Sequence, residues 1–136
     1  MDYTIAVDIG AGQSTKVAVC ASPSEILYED DLLLSDYGDS FEAYTAALVR
    51  TIERVISAAG THPSRMRGIG VATAGILGAD GEFVLIANVP VLQGRNIKTW
   101  LEAHYHVPVG IDNDANAGAL AEWSVLQVEL LYWVFG

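Results

Sequence analysis

Apolar residues recur along this chain in two periods, one typical of β-strands and the other typical of α-helices. Alternating or continuous apolar runs predict strands at 3–8, 16–20, 25–34, 68–74, 82–87, 107–111 and 130–134. Helical spacing predicts a long helix at 41–59, begun by Asp39 and Glu42 as a capping pair and ended by Gly60. Shorter helices are predicted at 97–104, capped by Asn96, and at 115–123. This order of strands and helices predicts an α/β domain.

The first two predicted strands are joined by a glycine turn that contains Gly10 and Gly12. The backbone N–H groups of such a turn can hold phosphate oxygens. Asp8 ends the first strand beside the turn, and a carboxylate there can hold Mg²⁺ through water. The alternative is an ordinary β-hairpin in which Asp8 only solvates the end of its strand.

Three polar residues, Asp112, Asn113 and Asp114, lie between a buried strand and a predicted helix. Ligands of α/β proteins bind where strands end and helices begin. The amides of a helix N-terminus favour negative charge, so Asp114 should stay ionised and could accept a proton from a bound hydroxyl. The alternative is that Asp114 only caps the helix.

A strand of small residues at 68–74 is followed by a glycine-rich stretch at 75–81, which could leave open space over the sheet. Asn88 lies just downstream, as a candidate ligand or as a plain turn residue before Pro90. His104 and His106 could bind a metal, but no third ligand is near them in sequence. We therefore expect these two histidines to mark a solvated helix end.

The composition and net charge of the chain limit the classes of function that we expect for it. The chain has 136 residues, 51% of them hydrophobic, which predicts a folded domain with a core. Its net charge of −10 disfavours nonspecific nucleic-acid binding and anionic membrane surfaces. Cys20 is the one cysteine, so we expect neither an internal disulfide nor a cysteine zinc cluster. No apolar run approaches about 18 residues and the N-terminus lacks a basic segment, so we expect a cytoplasmic protein.

The run from Asp112 to Ala117, followed by Ala119-Leu-Ala-Glu122, resembles the E-N-D-A-N-A-x-A-L-A-E signature of the ROK family. This family contains bacterial sugar kinases and sugar-responsive repressors. The resemblance implies that Asp114 is the catalytic base and that Asn113 binds the sugar. The usual glutamate of the signature is Asp112 here.

Two further stretches extend the resemblance. Asp8-Ile-Gly10 with Lys16 is similar to the first phosphate loop of actin-like sugar kinases, although the turn is longer than the D-I-G-G-T-K form of the ROK family. Its end, 13–16, looks more like the loop of xylulose-type sugar kinases. The likeness implies ATP contacts from Gly10, Gly12, Thr15 and Lys16, and Mg²⁺ held by Asp8 through water.

The stretch 68–75, with Asn88 downstream, resembles the family's G-x-G-V-x-x-P-G…N-L-P segment, with Ala74 in place of the proline. In that family the segment lines the sugar pocket. The resemblance therefore implies that Gly75 and Asn88 contribute to sugar binding.

Taken along the chain, the resemblance implies the ribonuclease-H-like fold of actin-like ATPases, with a mixed central sheet and flanking helices. Residues 1–136 would form a single N-terminal lobe, without the second lobe that carries the adenosine site. The implied parent is a glucokinase-like enzyme that uses ATP and Mg²⁺ to phosphorylate a hexose or amino-sugar. The alternatives are the sugar-sensing domain of a ROK repressor without its helix-turn-helix, and a nonfunctional remnant.

We expect this lobe alone to be inactive and to make no direct contact with nucleic acid or membrane. Its expected partners are a small-molecule sugar and further copies of itself. The apolar run 130–135 is a candidate surface for such self-association.

Overall fold

A computed structural model describes residues 2–9, 14–22, 25–33, 36–86 and 89–113. Within these residues, five strands form one mixed sheet in the order β3-β2-β1-β4-β7, and two short strands, β5 and β6, form a separate hairpin. The strands are β1 (Tyr3–Ile9), β2 (Ser14–Ser22), β3 (Glu25–Leu33), β4 (Met66–Thr73), β5 (Ile76–Leu77), β6 (Phe83–Leu85) and β7 (Val109–Asn113). The helices are α1 (Phe41–Ala58) and α2 (Ile97–Tyr105). The predicted α/β fold with a mixed sheet and flanking helices is confirmed.

Strand β1 lies in the middle of the sheet and organises its register. It pairs antiparallel with β2, where Ile5 lies opposite Val19, and parallel with β4, where Ile5 lies opposite Ile69. Alternate residues of β1 face opposite sides of the sheet. Ile5 and its β1 neighbours at 3, 7 and 9 join the main core, while Ala6 packs with Ala18 and Cys20 in a second, smaller cluster.

Helix α1 covers the bulky face of the sheet through an apolar stripe. Leu48, Ile52 and Val55 have no exposed surface. The structure corrects the predicted cap: Ser40, not Asp39, is the N-cap, because its backbone is extended and its Oγ accepts a hydrogen bond from the Ala43 amide at 3.0 Å. The predicted stop at Gly60 is confirmed, with φ at 73° just past the helix.

Helix α2 and the β5–β6 hairpin are joined by one side chain. Asn96 caps α2, as predicted, because its Oδ1 accepts from the Thr99 amide at 3.1 Å. Its Nδ2 donates to the backbone oxygen of Asp80 in the hairpin turn at 2.8 Å. The same turn is closed by the Gly81 amide, which donates to the Gly78 oxygen at 3.1 Å. The tip of the hairpin is therefore attached to the start of α2.

Most predicted elements are found within two residues of their predicted bounds, and the differences are local. The prediction of only open space at 75–81 was incomplete, since strand β5 occupies Ile76–Leu77. The predicted helix at 115–123 and the strand at 130–134 lie outside the described residues. Neither helix of the described part is long and apolar enough to cross a membrane.

Candidate functional site

The parallel strands β1, β4 and β7 end on a common row. Ile9 of β1 lies opposite Thr73 of β4, and Thr73 lies opposite Asn113 of β7. The amide of Ala74 also donates to the Ile9 oxygen at 3.1 Å, just beyond this row. Strands in a sheet are about 4.8 Å apart, so the ends of β1 and β7 are separated by roughly 10 Å. The chain therefore leaves β1, β4 and β7 at the same edge of the sheet, after Ile9, Thr73 and Asn113.

One residue before this edge, a row of mostly charged residues crosses all five strands. The partners in register are Asp31, Lys16, Asp8, Ala72 and Asp112, in that order across the sheet. Partners in register share one face of the sheet, so Lys16 lies between Asp8 and Asp31 on that face. Asp8 is half-buried, whereas Lys16, Asp31 and Asp112 are exposed. The predicted Mg²⁺ residue and the predicted phosphate lysine therefore share one face.

The predicted phosphate residue Thr15 lies on the other face. Its side chain is 1% exposed, and its Oγ1 forms a 2.8 Å hydrogen bond with the hydroxyl of Tyr44 in helix α1. Burial raises the pKa of Tyr44, and the hydrogen bond to Thr15 opposes this rise. Tyr37 packs edge-on against the same ring at 5.0 Å. The Thr15 hydroxyl is thus engaged in the core, a placement that strand alternation beside Lys16 could have predicted.

Gly75 lies where the edge of the sheet meets the hairpin. A Cβ added there would come within 3.0 Å of the Leu85 backbone oxygen and 3.1 Å of the Phe83 ring. The Gly75 amide also donates to Thr73 Oγ1 at 3.1 Å. Glycine at this position lets the hairpin pack closely against the end of β4.

Several predicted site residues lie outside the described part of the chain. They are Gly10, Gly12, Asn88 and Asp114. For Asn113 the backbone is described, as the last residue of β7, but the side chain is not. The sheet register therefore locates where the segments carrying Gly10 and Asp114 begin, and their roles stay predictions.

An open cleft of about 610 Å³ lies beside this edge. The sequence predicted open space at 75–81 but not the elements that form the walls of the cleft. We call it the hairpin cleft; it lies between the β5–β6 turn, the first turn of α2 and the end of β7. Its lining residues are Ile76, Leu77, Gly78, Ala79, Asp80, Gly81, Lys98, Ile111 and Asp112. The glycine-rich run at 75–81 was the one sequence signal of open space here.

The two histidines lie at the end of α2, as expected. The His104 ring stacks on Trp100 with centroids 5.0 Å apart, and His106 ends the helix in a left-handed conformation with φ at 57°. Both are exposed. Within the described ranges no three histidine, cysteine, aspartate or glutamate side chains are grouped closely enough to hold a metal ion.

Comparisons with known proteins agree with this arrangement. A model of the ROK family matches residues 4–129. The xylose repressor of Caldicellulosiruptor bescii is 32% identical over 100 residues, which are 72% of this chain and 24% of the repressor. The ROK hexokinase of Thermus thermophilus has a TM-score of 0.69 and 30% identity, over 88% of this chain and 38% of the hexokinase.

A ROK glucokinase from Streptomyces griseus, solved with glucose and AMPPNP, has the same TM-score of 0.69 at 22% identity, over 90% of this chain and 36% of that enzyme. That identity supports the fold alone. The chain therefore spans only about a quarter to two-fifths of the length of these relatives.

Proposed function

Because this chain belongs to the ROK family, we propose that it is the sugar- and phosphate-binding lobe of an ATP-dependent kinase acting on a hexose or amino-sugar. The observation that supports this most directly is the common edge reached by residues 9, 73 and 113. The glycine turn, the segment that starts at Ala74 and the segment that starts at Asp114 leave the sheet from this edge. A phosphoryl donor and a sugar hydroxyl must meet within one small space, and strands that end at one edge are suited to carry their proposed ligands.

Each proposed residue has a distinct role in the transfer. Asp114 takes the proton of the attacking hydroxyl, and Asn113, Asn88 and Gly75 position the sugar. Phosphoryl transfer depends on positioning and charge neutralisation more than on covalent chemistry. A carboxylate set between a strand end and a helix start is suited to such a role.

In the row across the sheet, Asp8 and Lys16 are suited to bind the phosphates of the nucleotide. Half-buried Asp8 is suited to hold a hydrated cation, which would neutralise phosphate charge when bound. The exposed ammonium of Lys16, one strand away, is suited to pair with a phosphate oxygen, and the amides of Gly10 and Gly12 would complete the cradle. The role of Thr15 in this proposal is to hold the base of the turn through Tyr44.

The proposal is tested by Asp114→Asn in the longer protein to which we assign this lobe. Asparagine keeps the capping oxygen but accepts no proton, so kcat should fall by about 10²–10⁴-fold while sugar affinity falls only modestly. Asp39→Asn, at an exposed loop acid, is the matched control and should leave kcat unchanged. Retention of more than about a tenth of kcat in Asp114→Asn, at normal stability, would remove Asp114 as the base.

A second candidate function is sugar sensing without phosphoryl transfer, and the curated relatives favour it. Xylose repressors match this chain at 27–34% identity. In that case the same edge would bind sugar, and the response would be a change of conformation passed to another part of a longer protein. Phosphate release or sugar phosphate formation by the longer protein identifies the kinase, whereas sugar-dependent release of operator DNA without turnover identifies the sensor.

A further inference from the structure

One face of the sheet carries mostly small side chains. A row of partners in register crosses four strands there and consists of Ala18, Ala6, Gly70 and Gly110. The row two positions further from the edge of the proposed site contains Cys20, Thr4 and Gly68. We call these two rows the small-residue face. Because residues two apart on a strand share a face, the charged row with Asp8 and Lys16 adjoins it on the same side of the sheet.

The small-residue face is buried although neither helix of the described residues covers it. Ala18 is 6% exposed, Ala6 is 5% exposed and Cys20 is 1% exposed. The apolar stripes of α1 and α2 belong to the main core with Ile5 and Ile69, on the other face of the sheet. Neighbouring strands flank a side chain but do not lie above it. Something beyond the described elements therefore has to cover this face.

A buried hydroxyl on the small-residue face supports the same conclusion. Thr4 is 1% exposed, and its Oγ1 has no hydrogen-bond partner among the described residues. A buried polar group is costly unless it is hydrogen-bonded. The surface that covers this face should therefore bring a polar group to Thr4.

One segment of the chain is long enough to be this cover. The residues outside the described ranges are pieces of one to four residues and a single longer segment, 114–136. That segment follows Asn113, the last residue of β7, at the common edge. Its part 115–121 contains four alanines and one glycine. Small side chains on both surfaces allow the close approach that leaves no voids between them.

We propose that the segment 115–123 packs as a helix on the small-residue face, which places its start on the side of the sheet that carries Asp8 and Lys16. Nine residues of helix span about 14 Å at 1.5 Å each. The five positions from Ile9 at the edge to Thr4 span about 16 Å. A helix that turns back at the edge therefore ends near Thr4. The last carbonyls of a helix have no partner within it, so one of them is available to accept from the Thr4 hydroxyl.

The packing has a consequence for catalysis, which rests on the proposed function. Asp114 is the residue directly before this helix, and it is the proposed base. The packing brings it to the face of Asp8 and Lys16 and away from the face on which Thr15 binds Tyr44. Phosphoryl donor and sugar hydroxyl then meet on one side of the sheet.

The direct test is nuclear Overhauser spectroscopy of the chain labelled at its alanine methyl groups. Methyl contacts are expected between Ala6 or Ala18 of the sheet and the alanines of 115–121. A sample that mixes labelled and unlabelled chains separates contacts within one chain from contacts between two. The expected contacts all arise within one chain.

The thiol of Cys20, the one cysteine of the chain, reports whether the cover is in place. Ala119→Pro breaks the proposed helix whichever way residue 119 points, and should raise the labelling rate of Cys20 by about ten-fold or more. Ala119→Gly, at the same position, is the matched control and should raise it several-fold at most. The methyl signals of Leu48 and Ile52 show whether the other face stays folded in each variant.

Three outcomes would overturn the inference. Absence of methyl contacts between the sheet alanines and 115–121 in the unsubstituted chain excludes the packing, whatever the variants do. Contacts found only between chains assign the face to a second copy. Rapid labelling of Cys20 in the unsubstituted chain means that the face is open and is covered only in a longer protein. The kinase proposal is decided separately, by the Asp114→Asn measurement.

Discussion

The buried hydrogen bond between Thr15 and Tyr44 should connect the stability of the lobe to the turn that precedes β2. Tyr44→Phe keeps the ring and its contact with Tyr37 but leaves the buried Thr15 Oγ1 without this partner. The cost should be about 1–3 kcal/mol in the free energy of unfolding. For a chain of this length that corresponds to a fall in Tm of roughly 4–12 °C. Thr15→Val leaves the Tyr44 hydroxyl unpaired in the same way and should cost a similar amount.

The double variant is the critical measurement. Removing both hydroxyls leaves no buried polar atom unpaired at this contact, so the double variant should be less destabilised than the sum of the two single variants by about 1–3 kcal/mol. Urea unfolding followed by tryptophan fluorescence and by circular dichroism gives the four free energies of the cycle. Additive losses would refute the reasoning, because they would mean that the two hydroxyls do not interact.

The same variants separate positioning from direct phosphate contact. If the Thr15 hydroxyl only anchors the turn, Thr15→Val and Tyr44→Phe should raise the KM for ATP of an active parent enzyme by the same factor. If the hydroxyl itself binds phosphate, Thr15→Val alone should raise KM strongly. Equal effects with unchanged kcat would assign Thr15 a positioning role.

Three further expectations follow from local contacts. Gly75→Ala should lower the free energy of unfolding by about 1–3 kcal/mol because its Cβ meets backbone and ring atoms, whereas Gly38→Ala, with open space around it, should change it by less than about 0.5 kcal/mol. Burial raises the pKa of Cys20 to about 11, so a thiol reagent at pH 8 should label it only as fast as the chain unfolds, and rapid labelling would contradict its burial. The hydrogen bond from Arg54 lowers the pKa of Asp30 in the folded state, so Asp30→Asn should cost less than about 1 kcal/mol at pH 7. Because the folded pKa is the lower one, this cost should be present above the unfolded value near 4 and disappear as pH falls through the folded pKa.

Local patterns predicted the elements of this fold well, and the long-range arrangement less so. The strand at 3–8 and the helix at 41–59 were predicted because period-two and period-3.6 patterns are local properties of the chain. The cap was misassigned by one residue because Asp39 and Ser40 are both good caps, and only the backbone angles decide between them.

The geometry of the site depends on the register of the β-sheet. No local pattern in the sequence determines that register. In the common row, Ile9 and Thr73 are 64 positions apart in the chain, and Thr73 and Asn113 are 40 positions apart. Likewise the hairpin cleft unites a turn, a helix start and a strand end. The family resemblance supplied candidate roles for individual residues, and the sheet register explains how three of their segments come to leave one edge together.

The central position of β1 also has a consequence for the order of folding during synthesis. The antiparallel pairing of the first three strands requires residues 3–33 alone. The other edge of β1 stays unpaired until residues 66–73 are made, and β4 in turn waits for residues 109–113. An apolar strand with an open edge is a site of misassociation. The edge that carries the proposed site is complete only when β7, the last strand of the described residues, has been added, so a chain that ends before residue 109 has β1 and β2 but not the full edge.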